Sequence, residues 1–281
     1  MKKNQLIRPF LKWAGGKRQL LSEIRKYIPK KIKIYFEPFL GGGAVFFDIQ
    51  PRKAIINDIN QELINVYKVI KLNVDDLIID LSKHINEKEY YYKIRDLDRT
   101  EEYDNLSPVE KASRIIFLNK TCYNGLFRVN SQGYFNVPFG NYKKPNFEDN
   151  ILLKAVSDFL NRIDISILND DFETVLEQAK KGDFVYLDPP YDPISDTSSF
   201  TGYDLNGFDA EDQVRLKKVF DKLNTKGCKV LLSNSGTDFI KDLYKDYKNV
   251  IVTASRAINS DATKRGYIEE ILVMNYDAKD S

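Results

Sequence analysis

Along most of its 281 residues the chain alternates short apolar runs with segments whose apolar positions recur at helical spacing. Leu20, Leu21, Ile24 and Ile28 share one helical face, which Pro29 ends. "IYFEPF" (34–39) reads as a strand running into Gly41, Gly42 and Gly43, followed by a helix over 44–49 and a strand over 53–58. Leu63, Val66, Tyr67 and Ile70 mark a helix over 62–71, and further helices are expected at 74–85, 87–97 and 107–121. Residues 122–148, rich in Asn, Gly, Tyr and Phe, read as hairpin and loop. Then come helix 150–162, strand 163–168, helix 172–180, strand 183–188, helix 210–224, strand 228–233, helix 237–247 and strands 249–255 and 269–276. This alternation argues for an α/β fold on a doubly wound, mostly parallel sheet. Residues 60–148 interrupt it with helices alone. The expected organisation is a main domain of 1–59 and 149–281, with 60–148 inserted as a helical and hairpin subdomain.

Composition changes this picture little. Hydrophobic content of 42% and charged content of 30% are ordinary for a globular protein. No apolar run approaches the roughly 20 residues that span a bilayer, and the N-terminus lacks a signal-peptide core. Cys122 and Cys228 match neither a zinc nor a redox spacing and read as reduced core residues. A cytoplasmic location with no membrane association is the expectation. The lone histidine, His84, falls on an expected helix away from every motif and reads as structural. Net charge is only +2, yet Met1 to Ile34 hold eleven Lys/Arg against one acid, Glu23. Such a block is either a solvated face or a phosphate-contacting surface.

Candidate chemistry gathers at strand ends, where ligands bind in doubly wound sheets. Three acids fall there: Glu37 before the glycines, Asp58 after the next strand, and Asp188 in "FVYLDPPYD" (184–192). Glycines permit a turn tight enough for a ligand to touch backbone, and an acid about 20 residues further on can bind ribose hydroxyls. GGG alone fits a plain strand-to-helix turn equally well. In the second motif Pro189 and Pro190 fix two φ angles and hold Asp188 extended. A carboxylate, a carbonyl and the ring of Tyr191 then share one small volume.

Taken together, the motifs resemble the S-adenosylmethionine-dependent DNA adenine-N6 methyltransferases, and among them the GATC-specific Dam type. The resemblance spans nearly the whole chain. It includes "FLKWAGGKRQLL" (10–21), "YFEPFLGGGAVFFD" (35–48), "IIND" (55–58), "NGLFRVNSQGYFNVPFG" (124–140), "DDFE" (170–173), "GDFVYLDPPYDPISDTSSFT" (182–201) and "VLLSNS" (230–235). It implies a Rossmann-like methyltransferase fold and methylation of a flipped-out adenine in double-stranded DNA, with S-adenosylhomocysteine as the other product. Neither a metal nor a covalent enzyme intermediate is expected.

The resemblance also implies roles. Asp188 and the Pro189 carbonyl would accept the two N–H groups of adenine N6, localising a lone pair otherwise delocalised into the ring, while Tyr191 stacks on the base. Trp13, Lys17, Glu37, Phe39, Gly41, Gly43, Asp58, Asp171, Phe172 and Asp188 would line the cofactor site, Asp58 at the ribose and Asp171 with Phe172 at the adenine. Singly, Trp13 reads equally as core, Lys17 as a surface charge and Asp171 as a helix N-cap. Arg128 and Lys12 would each reach a guanine, Tyr123, Asn124 and Leu126 would lie against or between base pairs, Pro138 would meet a thymine methyl, and Tyr142 would contact DNA. Relatives commonly carry Arg before that tyrosine; here it is Asn141, which leaves flanking-sequence preference in doubt. An RNA or protein methyltransferase should lack the 124–140 block, and a purely DNA-binding module would have no use for Asp188, Asp58 and Lys17 together. A monomer is expected, and a cognate restriction endonuclease is a candidate partner in the genome.

Overall fold

The computed structural model describes residues 3–13, 15–162, 164–192, 207–255 and 267–277. Its strands are β1 (Tyr35–Glu37), β2 (Lys53–Asn57), β3 (Asp164–Leu168), β4 (Phe184–Leu187), β5 (Lys229–Ser235), β6 (Lys248–Ser255) and β7 (Tyr267–Met274). They form one sheet in the order β3-β2-β1-β4-β5-β7-β6. The first five run parallel to one another, and β7 lies antiparallel between β5 and β6. The order runs outward from β1 in one direction and from β4 in the other. The crevice beyond the ends of β1 and β4 is therefore the point where strand order reverses, the place such sheets bind ligands.

The central strands β1, β4 and β5 are buried on both faces because both faces are covered. Successive side chains point opposite ways. Tyr35, Phe184, Tyr186, Leu231 and Leu272 enter one core, while Phe36, Val185, Leu187, Val230, Leu232 and Val273 enter the other. The first core is covered by α2 (Ala44–Ile49), α3 (Gln61–Leu72), α7 (Pro108–Thr121) and α8 (Asn150–Arg162). It continues without a break to Phe127, Phe135 and Val137. The second is covered by α9 (Phe172–Leu176), α10 (Ala210–Lys226) and α11 (Asp238–Leu243). Between α3 and α7 lie α4 (Val74–Leu81), α5 (Lys88–Asp96) and the single turn α6 (Glu102–Asn105).

The helix expected through Ile28 is only the turn α1 (Leu21–Ile24), preceded by a 3-10 turn over Lys17–Gln19. Expected helix 172–180 ends at Leu176 because the Asp183 carboxylate takes the Lys180 amide (2.8 Å) and Gly182 turns at φ +91°. By contrast α7 begins where the pattern places it. Ser107 and Glu110 form a reciprocal capping box and Pro108 occupies the first turn. Residues 122–148 contain a 3-10 turn over Tyr123–Gly125 and two isolated bridges, Cys122 to Phe139 and Val129 to Phe135.

Candidate active site

Asp188 follows β4 directly, and its carboxylate is the hub of a small polar cluster. Lys17 Nζ lies 2.8 Å from Asp188 Oδ1, donates to Gly15 O (2.6 Å) and stands 4.4 Å from the centre of the Tyr191 ring. Ser233 Oγ also donates to Asp188 Oδ1 (3.0 Å), which leaves Tyr186 as donor in its 2.9 Å contact with Ser233. Burial pushes the Asp188 carboxyl above the usual carboxylate range, and Lys17 and Ser233 pull it back. Lys17 is itself 5% exposed, so the pair is largely withdrawn from water.

The corner after Asp188 is held from behind by the end of β5. Asn234 Oδ1 accepts the Asp192 amide (3.2 Å), Ser235 Oγ donates to Asp192 O (2.8 Å), and Thr237 Oγ1 donates to Asp192 Oδ2 (2.7 Å). Gln213 of α10 donates to Pro190 O (2.9 Å) and accepts from Asn234 (3.0 Å). Two prolines remove two backbone donors, and side chains of neighbouring elements supply the corner's bonds instead. Residues 193–201 of the stretch 182–201 lie outside the described residues.

Beside this corner, Gly41 and Gly43 turn at φ +50° and +68°. A Cβ on Gly41 would lie 3.1 Å from Trp13 Cδ1, so backbone and indole form a close-fitting cradle. Asp58 accepts the Gly41 amide (2.8 Å) on Oδ2 and the Asn60 amide (2.9 Å) on Oδ1. Glu37 is 2% exposed beneath the turn, takes the Tyr35 phenol (2.6 Å) and the Phe46 amide, and is pushed well up by burial. It faces the protein interior. Asn57 ties Pro38 O (3.0 Å) to Asp170 (2.9 Å each way), drawing the β1 and β3 loops together.

Phe39 and Phe172 pack at 5.3 Å with Phe208 against both. Asp171 caps α9 through the Glu173 amide (2.9 Å), as the N-cap reading has it, and is also clamped bidentately by Arg215 of α10 (3.0 and 2.9 Å). The same guanidinium lies 4.2 Å from the Phe172 ring centre. Three of about four acceptor positions on that carboxylate are thereby taken.

The hairpin region joins this crevice through Trp13, which stacks on Phe127 at 4.6 Å. Asn119 holds Lys12 by two backbone bonds (3.0 and 2.8 Å) and Gly125 O by a third (3.1 Å). The Lys12, Tyr123, Arg128, Pro138 and Tyr142 side chains are exposed, and Leu126 is half-buried. Asn124 adopts φ +58° and donates its amide to the Tyr142 phenol (3.0 Å). Arg128 is held by Asn136, through Oδ1 (2.7 Å) and the carbonyl (3.3 Å). Asn141, at the position where relatives commonly carry Arg, adopts φ +55°, a conformation Asn tolerates better than most residues.

Residues 13–258 match the family described as D12 class N6 adenine-specific DNA methyltransferase. The chain belongs to that family. It is 48% identical over 279 residues to Type II methyltransferase M1.LlaDCHI of Lactococcus lactis subsp. cremoris, covering 98% of each chain. It is 47% identical to Type II methyltransferase M.MjaIII of Methanocaldococcus jannaschii, covering 96% of this chain and 99% of that one. It is 35% identical to the DNA adenine methylase of Escherichia coli strain K12, over 98% and 96%. The protein is thus an adenine-specific DNA methyltransferase, and among its described residues no helix is long and apolar enough to cross a membrane.

Sequence reasoning about this methyltransferase gave no role to Ser233, Asn234, Gln213, Arg215 or Phe208, nor to Glu270, whose Oε2 accepts from the Tyr191 phenol (2.6 Å). "VLLSNS" did carry a signal, since three polar residues at the end of an apolar strand need partners once buried. Gln213 and Arg215 of α10, and Phe208 just ahead of it, carried none, because only tertiary packing brings them here.

Proposed function

We propose that this methyltransferase moves a methyl group from S-adenosylmethionine to N6 of a flipped-out adenine in duplex GATC. The observation that carries the reading is Asp188, half-buried at the strand-order reversal beside the Tyr191 ring and already paired with a cationic N–H donor. An adenine amino group offers that carboxylate the same kind of contact. The cradle of Trp13, Gly41, Gly43 and Asp58 fits a nucleoside ligand. Asp58 serves the ribose, while Phe39, Phe172 and Asp171 serve the cofactor adenine, Asp171 sharing its carboxylate with Arg215. Glu37 acts through the shape of the glycine turn. Bound there, the cofactor supplies a methyl already activated on a sulfonium.

Asp188 and the Pro189 carbonyl accept from the amine and hold its lone pair in line; alignment of this kind is worth roughly 7–11 kcal/mol. Lys17 releases Asp188 as the base arrives. Residues 60–148 form the recognition subdomain, docked on a catalytic domain of 1–59 and 149–281. Arg128 and Lys12 read guanines, Tyr123, Asn124 and Leu126 support the opened duplex, Pro138 meets a thymine methyl and Tyr142 positions Asn124. The enzyme works in the cytoplasm as a monomer. The Type II names of two relatives support a partner endonuclease.

Labelled-methyl transfer to duplexes containing or lacking GATC tests the reading. Only GATC duplexes should be labelled, and Asp188→Ala should lose more than about tenfold in turnover. Equal labelling of both duplexes would reject the site assignment; an active Asp188→Ala would reject the chemistry.

A further inference from the structure

Tyr191 is held by a residue far away in sequence. Its phenol donates to Glu270 Oε2 at 2.6 Å, across 79 positions of chain. Glu270 lies on β7, paired in register with Ser235 of β5 on one side and Val252 of β6 on the other. A strand laddered on both edges is among the stiffest supports a fold offers. Ser235 also holds the Asp192 carbonyl, so one cross-strand pair grips the corner at two points. The second face of the arrangement is Lys17, 4.4 Å from the Tyr191 ring centre.

We propose that Glu270 is a positioning residue for the methyl transfer, fixing the plane of the Tyr191 ring on which the target adenine stacks. This rests on the reading of Tyr191 as the base platform. The sequence places Tyr191 after two prolines, which fixes the backbone but leaves the side-chain torsions of the ring open. A hydrogen bond at the far end of the phenol removes that freedom. Burial and the facing Asp188 and Glu270 carboxylates push the phenol well above its ordinary range, so it remains a donor at any working pH. The antiparallel insertion of β7 between β5 and β6 is what brings an acid to this point. A parallel β6 beside β5 would have offered a different register.

The test is a double-mutant cycle on Tyr191 and Glu270. Tyr191→Phe and Glu270→Ala should each slow methyl transfer by about tenfold or more, the loss of one charge-assisted hydrogen bond. Glu270→Gln, whose amide oxygen still accepts, should recover most of the rate. The double variant should be no slower than the worse single variant. Cofactor affinity, measured by titration with S-adenosylhomocysteine, should stay unchanged throughout. 2-Aminopurine replacing the target adenine in a methylated duplex should fluoresce less quenched in Glu270→Ala than in wild type once bound, because the flipped base stacks less well. Losses that multiply in the double variant, or wild-type rates in Glu270→Ala, would overturn the inference. Tyr191→Ala separates the two levels. Wild-type activity there defeats the platform reading itself, whereas a dead Tyr191→Ala beside an active Glu270→Ala defeats only the role of Glu270.

Discussion

Arg128 stands exposed on its hairpin with its guanidinium tied to Asn136 by two bonds, so on the proposed reading it would meet DNA in a fixed orientation rather than as a loose charge. A bidentate arginine–guanine contact discriminates by about 1–3 kcal/mol. Arg128→Ala should therefore methylate duplexes altered at one base pair nearly as well as the native site, with cofactor affinity unchanged. Rates on the set of single-base variants of the site decide it, and a uniform loss across the set would mean a phosphate contact instead. His84 illustrates the opposite kind of residue. It is stacked on Phe117 at 4.4 Å between Tyr90 (2.9 Å) and Ser113 (3.0 Å). Burial lowers its pKa to about 4, with Asp80 opposing and Lys83 adding to the shift. The unfolded chain binds this proton near pH 6.5, so between pH 6.5 and 4 the unfolded state takes up more protons and stability falls as pH falls. The loss is on the order of 3 kcal/mol. Urea unfolding at pH 7 and 4.5 should show a smaller pH-dependent drop in His84→Gln than in wild type; equal drops would contradict this.

At the scale of elements, the β1–α2 turn depends on glycine for two separate reasons. Gly43 sits at φ +68°, and a Cβ there would approach Tyr67 Oη to 2.7 Å and Phe47 to 3.1 Å. Tyr67 itself donates to Gly41 O (3.2 Å), so it cannot retreat without releasing the turn. Gly43→Ala should cost about 1–3 kcal/mol from backbone strain alone and should weaken cofactor binding as the turn shifts. Thermal unfolding and a cofactor titration measure both. A variant with wild-type melting temperature would show that the turn relaxes freely. The glycines, the strand before them and the acid 21 positions after Glu37 were legible in the sequence because they are local patterns. Trp13 was legible only through the resemblance, and Tyr67, which holds the turn from the other side, was not legible at all, since in its own segment it is an ordinary core aromatic.

For the whole molecule, a net charge of +2 conceals a local cluster of cations around Lys120. Lys120 is half-buried, and burial lowers its pKa, with Arg18, Lys12 and Arg8 adding to the shift and Asp149 opposing. Arg18, Lys12 and Arg8 therefore lie close enough to act on Lys120, with Arg8 ion-paired to Asp149 at 3.1 Å. DNA phosphates would relieve that repulsion and release counterions. Affinity for duplex DNA should fall steeply between about 50 and 200 mM salt, and Lys120→Met should reduce the log–log slope by about one. Fluorescence anisotropy with labelled duplex measures it, and salt-independent binding would show the surface to be merely solvated. Lys3 is ion-paired with Asp48 at 3.7 Å, so its removal should change the slope little.

The sequence by itself determined the doubly wound architecture, the strand-end acids Asp58 and Asp188, the glycine turn and the rigid proline corner. Each is a property of a few consecutive residues or of a repeat in hydrophobicity, and such patterns survive without knowledge of neighbours. Tertiary structure decided which groups those residues meet. Arg215 clamps Asp171 across 44 positions, Glu270 reaches Tyr191 across 79, and Lys17 reaches Asp188 from the N-terminal segment. Those pairings follow from strand order and from the reversed direction of β7. Periodicity tells which face a side chain occupies; it carries no information on which strand lies next to it.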